Sequence, residues 1–223
     1  MPKYLLGIED AGRGPVIGSM FMAGAMITGE QEKFLRAQNV KDSKLISHPT
    51  RMRLAEMIKE NSVSHHVVEA TPEEIDQFVG SGTNLNTLEA KKMADIINKL
   101  NNKKDKILVV VDCPSTNTKA WGEKLTSFIE YTENLEIRCE HKADVNHISA
   151  SAASILAKVA REENVEKIKK ELKIDFGSGY PADPYTKEFL IKRGKKYLKY
   201  HIIRETWQTW KDIGEKEGQS KLF

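Results

Sequence analysis

A continuous apolar run that ends in an acid, Lys106-Ile-Leu-Val-Val-Val-Asp112, constrains the fold of this chain more than any other segment. The run has the length of a strand and lacks the alternation of a half-buried one, which predicts a strand buried on both faces of a sheet. It is the clearest central strand of the sequence. The 223 residues, at about 150 per domain, predict one compact domain or one domain with an appendage.

The remaining periodicity predicts elements on either side of that strand. Lys3–Ile8 and Ile17–Thr28 have strand character and are separated by a turn around Gly12-Arg-Gly-Pro15, which predicts an opening hairpin. Further strands are predicted at Val63–Glu69 and Leu135–Glu140, and helices from Ser47, after Thr71, at Leu85–Leu100, near Thr118–Tyr131 and at Ile148–Leu172. Strands followed by alternating helices and strands predict a layered α/β domain with a mixed sheet.

The C-terminal part of the chain is turn-rich, then helical, basic and aromatic. We expect residues 1–213 to form one catalytic domain that includes a helical appendage over about 184–213, and 214–223 to form a flexible polar tail. Residues 187–204 hold seven Lys/Arg and one Glu, a net +6 in a chain of net +3, which leaves −3 elsewhere. Such a segment suits a phosphate backbone, although charge alone favours an ordinary solvated helix face. Trp207 and Trp210, three residues apart, favour packing of a C-terminal helix over base stacking.

Two classes of protein are excluded by composition. No window approaches 18 uninterrupted apolar residues and the start MPKYLLGIED turns acidic early, which predicts a cytoplasmic protein with no membrane partner. Cys113 and Cys139 belong to no CxxC or Cys/His cluster, so they predict buried thiols and no disulfide scaffold or zinc module.

Acidic residues occur where predicted strands end. Glu9-Asp10 ends the first strand, Asp112 ends the buried strand, and Asp144 stands just before the long Ala/Ser-rich helix. Each acid alone also fits a plain strand end or helix cap, but strand ends in α/β sheets converge on one edge. Crowded carboxylates repel one another unless cations lie between them, and oxygen-only ligands select Mg²⁺ or Mn²⁺. Two such ions would support cleavage of a phosphodiester.

Five segments together carry a resemblance to a known family. They are Gly7–Pro15 (GIEDAGRGP), Lys41-Asp-Ser-Lys44, Val109–Asp112, Ala143-Asp144 with Ser151–Lys158, and Gly177-Ser-Gly-Tyr-Pro181. Their order and spacing resemble ribonuclease HII in its archaeal form, over nearly the whole chain. The resemblance implies a ribonuclease H-like mixed sheet flanked by helices, with a helical C-terminal appendage. It also implies endonucleolytic cleavage of RNA in RNA/DNA hybrids, including single ribonucleotides embedded in duplex DNA, that leaves a 3′-hydroxyl and a 5′-phosphate.

The resemblance assigns roles to residues of this chain. Glu9, Asp10, Asp112 and Asp144 would be the catalytic, metal-binding acids that hold two Mg²⁺ or Mn²⁺ ions. The loop Gly12-Arg13-Gly14 would sense the ribose 2′-hydroxyl through its backbone, and Tyr180 would pack on the sugar. Lys44 is a candidate phosphate contact, with a plain surface lysine as the alternative.

One position departs from the family pattern. The family's first acidic pair reads aspartate then glutamate, whereas this chain has Glu9 then Asp10. The charge is kept, but each side chain changes by one methylene, and a displacement of about 1 Å can cost on the order of 100-fold in rate. A natural variant, an engineered exchange and a slow metal site all remain open. The alternative function is therefore a hybrid-binding protein with weak or no catalysis, and a second alternative is a nuclease for another nucleic acid.

The two ends of the chain bear on a candidate protein partner and on the domain content. The terminal Gln219-Ser-Lys-Leu222-Phe223 resembles the front of a sliding-clamp-binding peptide, with a frayed tail as the alternative. The motif that begins at residue 7 leaves no room for an additional N-terminal substrate-binding domain, and we expect a monomer.

Overall fold

The computed structural model describes residues 2–40 and 46–220, with side chains described as far as residue 214. In this part of the chain the strands are β1 (Tyr4–Ala11), β2 (Met20–Ile27), β3 (Ser64–Ala70), β4 (Ile107–Asp112) and β5 (Leu135–Glu140). They form one sheet in the order β3-β2-β1-β4-β5. The first two strands pair antiparallel from Leu5 opposite Ile27 to Ala11 opposite Phe21, so the predicted opening hairpin is confirmed.

The long apolar run is an interior strand, as its composition predicted. β4 pairs parallel with β1 on one side and parallel with β5 on the other, where Asp112 lies opposite Glu140. Val109, Val110 and Val111 are almost completely buried. Because β1 and β4 run in the same direction, their carboxyl ends, which carry the acids, reach the same edge of the sheet.

The helices of the described chain follow most of the predicted segments. They are α1 (Gly29–Ala37), α2 (His48–Asn61), α3 (Pro72–Gly80), α4 (Leu85–Leu100), α5 (Thr118–Ser127), α6 (Ala143–Asn146), α7 (Ile148–Leu172), α8 (Pro184–Tyr197), a 3₁₀ turn (Leu198–Tyr200) and α9 (Gln208–Ser220). A mixed sheet flanked by helices, with a helical C-terminal region, confirms the predicted fold class.

Two helices were not predicted, and one extends further than predicted. α1 begins with a capping box in which the Thr28 hydroxyl accepts from Gln31 N and the Gln31 side chain accepts from Thr28 N. The strand predicted over Ile17–Thr28 therefore ends one residue earlier, because Thr28 of this Thr-x-x-Gln signal is the N-cap of α1. α6 is a single turn, too short for periodicity to reveal. α9 continues past Ile213, where the sequence predicted a tail: Glu, Lys and Gln favour a helix, and each of the two glycines in this part costs only about 1 kcal/mol.

The chain divides into two compact units, each with its own core. The first unit comprises residues 1–11, 21–68 and 86–160, and its core includes Leu54, Ile58, Ile155 and Leu156. The second unit comprises residues 12–20, 69–85 and 161–223. Its core contains Phe176 and Phe189, whose ring centroids lie 6.0 Å apart, and Trp207 and Trp210 pack against it as their spacing predicted. That residues 1–213 act as one domain stays a prediction.

The structure also shows the state of the two cysteines and the character of the helices. Both cysteines are free; Cys113 is buried and Cys139 half-buried, and burial raises the pKa of Cys139 to about 11. Cys113 is therefore the buried thiol that the sequence predicted, whereas Cys139 is only partly buried. Along the described residues, none of the helices combines the length and the apolar character that a membrane span requires.

Candidate functional site

Three of the four predicted acids meet in the first unit. Glu9 near the end of β1, Asp112 at the end of β4 and Asp144 in α6 each present a carboxylate oxygen, and these oxygens lie within 4.8 Å of one another. We call these three residues the acidic cluster. Asp112 follows Glu9 by 103 positions and Asp144 follows Asp112 by 32, and the parallel pairing of β1 with β4 is what brings the first two together.

Small residues allow the helix that follows Asp144 to approach the sheet. A Cβ atom on Gly7 of β1 would lie 2.1 Å from the backbone nitrogen of Ala150, near the start of α7. Ala143 and Ala150 pack with Val110 of β4 in a separate small cluster. The backbone of this helical segment therefore lies directly against β1, which explains why the sequence is rich in Ala and Ser here and how Asp144 reaches the strand ends.

Burial and mutual repulsion set the electrostatics of the acidic cluster. Glu9 and Asp144 are buried, and burial, reinforced by the charges of Asp10, Asp112 and Asp144, raises the pKa of Glu9 well above its ordinary value. Burial also raises the pKa of Asp112, although its carboxylate accepts a hydrogen bond of 2.9 Å from Ala143 N at the start of α6. Oxygen donors crowded in this way fit hard divalent cations, which would remove the repulsion.

Asp10 does not belong to the acidic cluster. Its backbone N–H donates to the Glu9 carboxylate at 2.7 Å, and its side chain is half-exposed. β1 keeps a regular pairing register with β2 through Ala11, one residue beyond Asp10. Because successive side chains of a strand point to opposite faces, Glu9 joins the cluster and Asp10 does not. The role of Asp10 as a metal ligand stays a prediction.

In the second unit, a buried arginine holds the loop Gly12-Arg13-Gly14, which we call the braced loop. Arg204 is 0% exposed, and its guanidinium donates to Gly12 O (2.7 Å), Arg13 O (3.0 Å) and Gly18 O (3.0 Å). Gly12 has φ +87°, and a Cβ there would lie 2.9 Å from Ser19 O, so this position requires glycine.

The residues after Arg204 complete the brace. Trp207 donates from its indole N–H to Gly14 O at 3.3 Å, and its ring lies 4.9 Å from the Arg204 guanidinium carbon. Asp76 of α3 accepts from the backbone N–H groups of Glu205 (2.7 Å) and Thr206 (2.9 Å). The segment that carries Arg204 is thus itself anchored to a helix of the same unit.

Tyr180 lies beside the braced loop. It is 39% exposed, and its ring would be 3.6 Å from a Cβ on Gly14. The guanidinium carbon of Arg161 lies 4.7 Å from the centre of the tyrosine ring, and the same side chain donates to Ser178 O at 2.6 Å. The structure therefore brings together two of the predicted substrate-binding elements.

Asp183 shapes the loop that presents Tyr180. Its carboxylate accepts from Ser178 N at 2.6 Å and from Tyr185 N at 2.9 Å, where it caps α8. These hydrogen bonds, chiefly the one from Ser178, lower the pKa of Asp183 to about 2. The Asp183 carboxylate is therefore charged at neutral pH and keeps these hydrogen bonds.

The basic segment 187–204 requires a correction. Arg204 was counted as part of a positive surface, but it is buried beneath the braced loop. The preceding Ile202-Ile203 pair, also buried, is the sequence signal that would have indicated this. The exposed cations are Lys187, Lys192, Arg193, Lys195, Lys196 and Lys199. Lys44 and the end of the clamp-like peptide Gln219–Phe223 lie outside the described residues.

Known proteins are similar to this chain in sequence and in fold. Residues 6–210 match the family model of ribonuclease HII. A ribonuclease HII of Methanocaldococcus jannaschii is 40% identical over 98% of this chain and 98% of its own length. The crystal structure of the ribonuclease H2 from Pyrococcus horikoshii superposes with a TM-score of 0.83 at 35% identity, covering 96% of this chain and 98% of that one. The ribonuclease HII in a PCNA complex from Archaeoglobus fulgidus gives 0.77 at 33% identity, over 92% and 95% of the two chains.

Proposed function

Because this chain belongs to the ribonuclease HII family and is an endoribonuclease acting on RNA/DNA hybrids, we propose that its divalent ions are held by the acidic cluster and Asp10. The observation that carries this assignment is the convergence of Glu9, Asp112 and Asp144 within 4.8 Å. Asp10 is included because its charge acts on Glu9 and raises its pKa. We propose two ions, Mg²⁺ or Mn²⁺, because oxygen ligands select such hard cations.

The acids are proposed to hold the divalent ions in fixed positions next to the substrate. Glu9, Asp10, Asp112 and Asp144 would hold the divalent ions, whose positive charge would lower the pKa of an attacking water and stabilise the leaving 3′ oxygen. Asp112 keeps one orientation because Ala143 N donates to it, and Asp144 is fixed within α6 with its backbone carbonyl accepting from the Ser151 hydroxyl. Rigid acids lose little entropy on ligand binding, so the site is preorganised for the transition state. The products are a 3′-hydroxyl and a 5′-phosphate.

The braced loop and Tyr180 are proposed to recognise the ribose. The backbone of Gly12-Arg13-Gly14 reads the 2′-hydroxyl, the one group that distinguishes RNA from DNA at a single nucleotide. Tyr180 offers an exposed aromatic face next to Gly14 for the sugar. A recognition through backbone atoms is independent of base sequence. It therefore supports cleavage at single ribonucleotides embedded in DNA as well as in longer hybrids.

The remaining contacts are proposed for the C-terminal region and for Lys44. The exposed cations of α8 and of the 3₁₀ turn bind the phosphate backbone, and Lys44 holds a further phosphate. The Archaeoglobus fulgidus relative was solved in complex with PCNA, which supports a sliding clamp as partner for Gln219–Phe223. Deletion of residues 219–223 is expected to weaken clamp binding; unchanged affinity would exclude this contact. We also propose that the enzyme acts in the cytoplasm as a monomer.

Cleavage of a DNA duplex that holds one ribonucleotide tests the proposal. With Mg²⁺ or Mn²⁺ we expect a single cut that maps to the ribonucleotide, no cut after chelation, and no cut in the matched all-DNA duplex. Binding without cleavage under either metal would favour the hybrid-binding alternative. Cleavage of the all-DNA duplex would favour a nuclease of different specificity.

The order of the first acidic pair is tested by exchanging it. The double variant Glu9→Asp with Asp10→Glu restores the family order, and we expect faster cleavage, by up to about 100-fold, because the reach of both carboxylates changes. The control is Glu123→Asp on an exposed face of α5. An unchanged rate in the double variant would show that the order of the pair does not limit turnover.

A further inference from the structure

The brace fixes the direction in which the peptide groups of the loop point. In a trans peptide the carbonyl and the N–H of the next residue point in opposite directions. Arg204 draws the carbonyls of Gly12 and Arg13 toward its guanidinium, at 2.7 and 3.0 Å. The N–H groups of Arg13 and Gly14, which belong to the same two peptides, therefore point away from Arg204.

The third peptide of the loop is fixed in a similar way. Trp207 donates to Gly14 O, and the next residue, Pro15, has no N–H. The carbonyls of residues 12, 13 and 14 thus all accept from one segment, Arg204–Trp207. The two amides of the loop then form a pair of parallel donors on the opposite side, an arrangement suited to an oxygen ligand.

We propose that Arg204 is a positioning residue that sets the preference for ribose over deoxyribose by aiming the Arg13 and Gly14 amides. This inference rests on the proposed reading of the 2′-hydroxyl by the loop. Arg204 itself is completely buried and contacts no substrate. Its effect is transmitted through the carbonyls that it holds.

The chemistry of the site requires arginine in particular. A guanidinium carries five N–H donors in a rigid plane, whereas a lysine ammonium is a single point charge on a flexible stem. Here the plane serves three carbonyls at once and lies against the Trp207 ring. A lysine would keep the buried charge but hold fewer of the peptides, so the loop amides would lose their fixed direction.

The experiment compares binding of two duplexes in Ca²⁺, one all-DNA and one with a single ribonucleotide, to the full-length protein. Wild type should prefer the ribonucleotide. In Arg204→Lys and in Trp207→Phe, which keeps the ring but removes the indole donor, we expect the preference to fall about fivefold to tenfold, the effect of about one hydrogen bond. Binding of the all-DNA duplex should be unchanged in Trp207→Phe. Arg193→Gln on the exposed face of α8 is the control, expected to weaken both duplexes equally.

The outcomes separate this inference from the function on which it rests. A wild type without any ribonucleotide preference would overturn the proposed reading by the loop, and the role of Arg204 with it. A wild type with the preference and two folded variants that retain it in full would overturn only the role of Arg204. If circular dichroism shows that Arg204→Lys does not fold, Arg204→Gln, which keeps two N–H donors on its side chain, takes its place, and a preference retained in full by that folded variant would overturn the role of Arg204.

Discussion

The acidic cluster of the first unit and the braced loop of the second unit solve opposite electrostatic problems. The acidic cluster gathers carboxylates whose like charges raise the pKa of Glu9 and Asp112. At the braced loop, one buried cation, Arg204, is surrounded by three carbonyl dipoles, those of Gly12 and Arg13 in the loop and that of Gly18. The repulsion in the acidic cluster is removed only when cations bind from solution. At the braced loop, the carbonyl groups are paired with a cation of the chain itself, Arg204.

This difference predicts that substitutions act in opposite directions on stability. Removing a charge from the acidic cluster relieves repulsion and harms only the chemistry, because the fold gains nothing from crowded carboxylates. Removing the charge from the braced loop leaves buried carbonyls without donors, which costs stability. The carboxylates of the acidic cluster thus lower stability while they serve catalysis. The buried Arg204 supports both the stability of the fold and the position of the loop.

The largest effect is expected for Asp112→Asn. The amide keeps the shape and still accepts from Ala143 N, but it loses the charge, and we expect the cleavage rate to fall by about 1,000-fold, or about 4 kcal/mol. The free energy of unfolding in EDTA should rise. The raised pKa of Asp112 means that its charged form is disfavoured in the folded protein, so removal of the charge stabilises the fold. Single-turnover cleavage and urea unfolding measure the two quantities. Asp95→Asn on the exposed face of α4 should change neither, and a large loss of stability in Asp112→Asn would contradict the comparison.

A smaller effect is expected for Arg204→Met, in which the free energy of unfolding falls instead of rising. Methionine fills a similar volume but donates no hydrogen bond to Gly12, Arg13 and Gly18, so we expect the free energy of unfolding to fall by about 3 kcal/mol. Urea unfolding monitored by circular dichroism measures the loss. The exposed Lys196→Met, in the same basic segment, should stay within about 0.5 kcal/mol of wild type. Equal stability of the two variants would show that the loop does not need its buried cation.

The smallest effect is a change of slope with pH in Glu9→Gln. The pKa of Glu9 in the folded protein lies well above the ordinary 4.5, so between these two values the folded state binds more protons than the unfolded state. Without divalent ions, Glu9 therefore lowers the stability of wild type as the pH rises through this range. Unfolding in EDTA at several pH values should show this component in wild type and in the exposed control Glu123→Gln, but not in Glu9→Gln. Parallel curves for all three proteins would refute the assignment.

Much of the architecture could be predicted from local pattern. The boundaries predicted for α4 and α7 agree with the structure to the residue, and β5 lies where a strand was predicted near Leu135–Glu140. The apolar residues of α4 recur at helical intervals, and the first half of α7 is rich in alanine, the strongest helix former. The meeting of Glu9 and Asp112 followed from one rule, that acids at the ends of parallel strands share a sheet edge, whereas Asp144 reaches them from α6 because the start of α7 packs closely on β1. Local pattern failed at α6, whose single turn is too short to carry a period.

The sequence by itself determined which residue types stand at the strand ends and in the glycine-rich loop, since these are properties of the covalent chain. Only the tertiary structure decided that Glu9 enters the acidic cluster while Asp10 does not, because strand alternation in a regular register separates neighbours. It alone decided that Arg204, one of seven cations in a basic segment, lies buried against three carbonyls contributed by residues nearly two hundred positions earlier. The sequence determines where the charged residues are, but packing determines the local dielectric and the partners of each charge, and therefore its role.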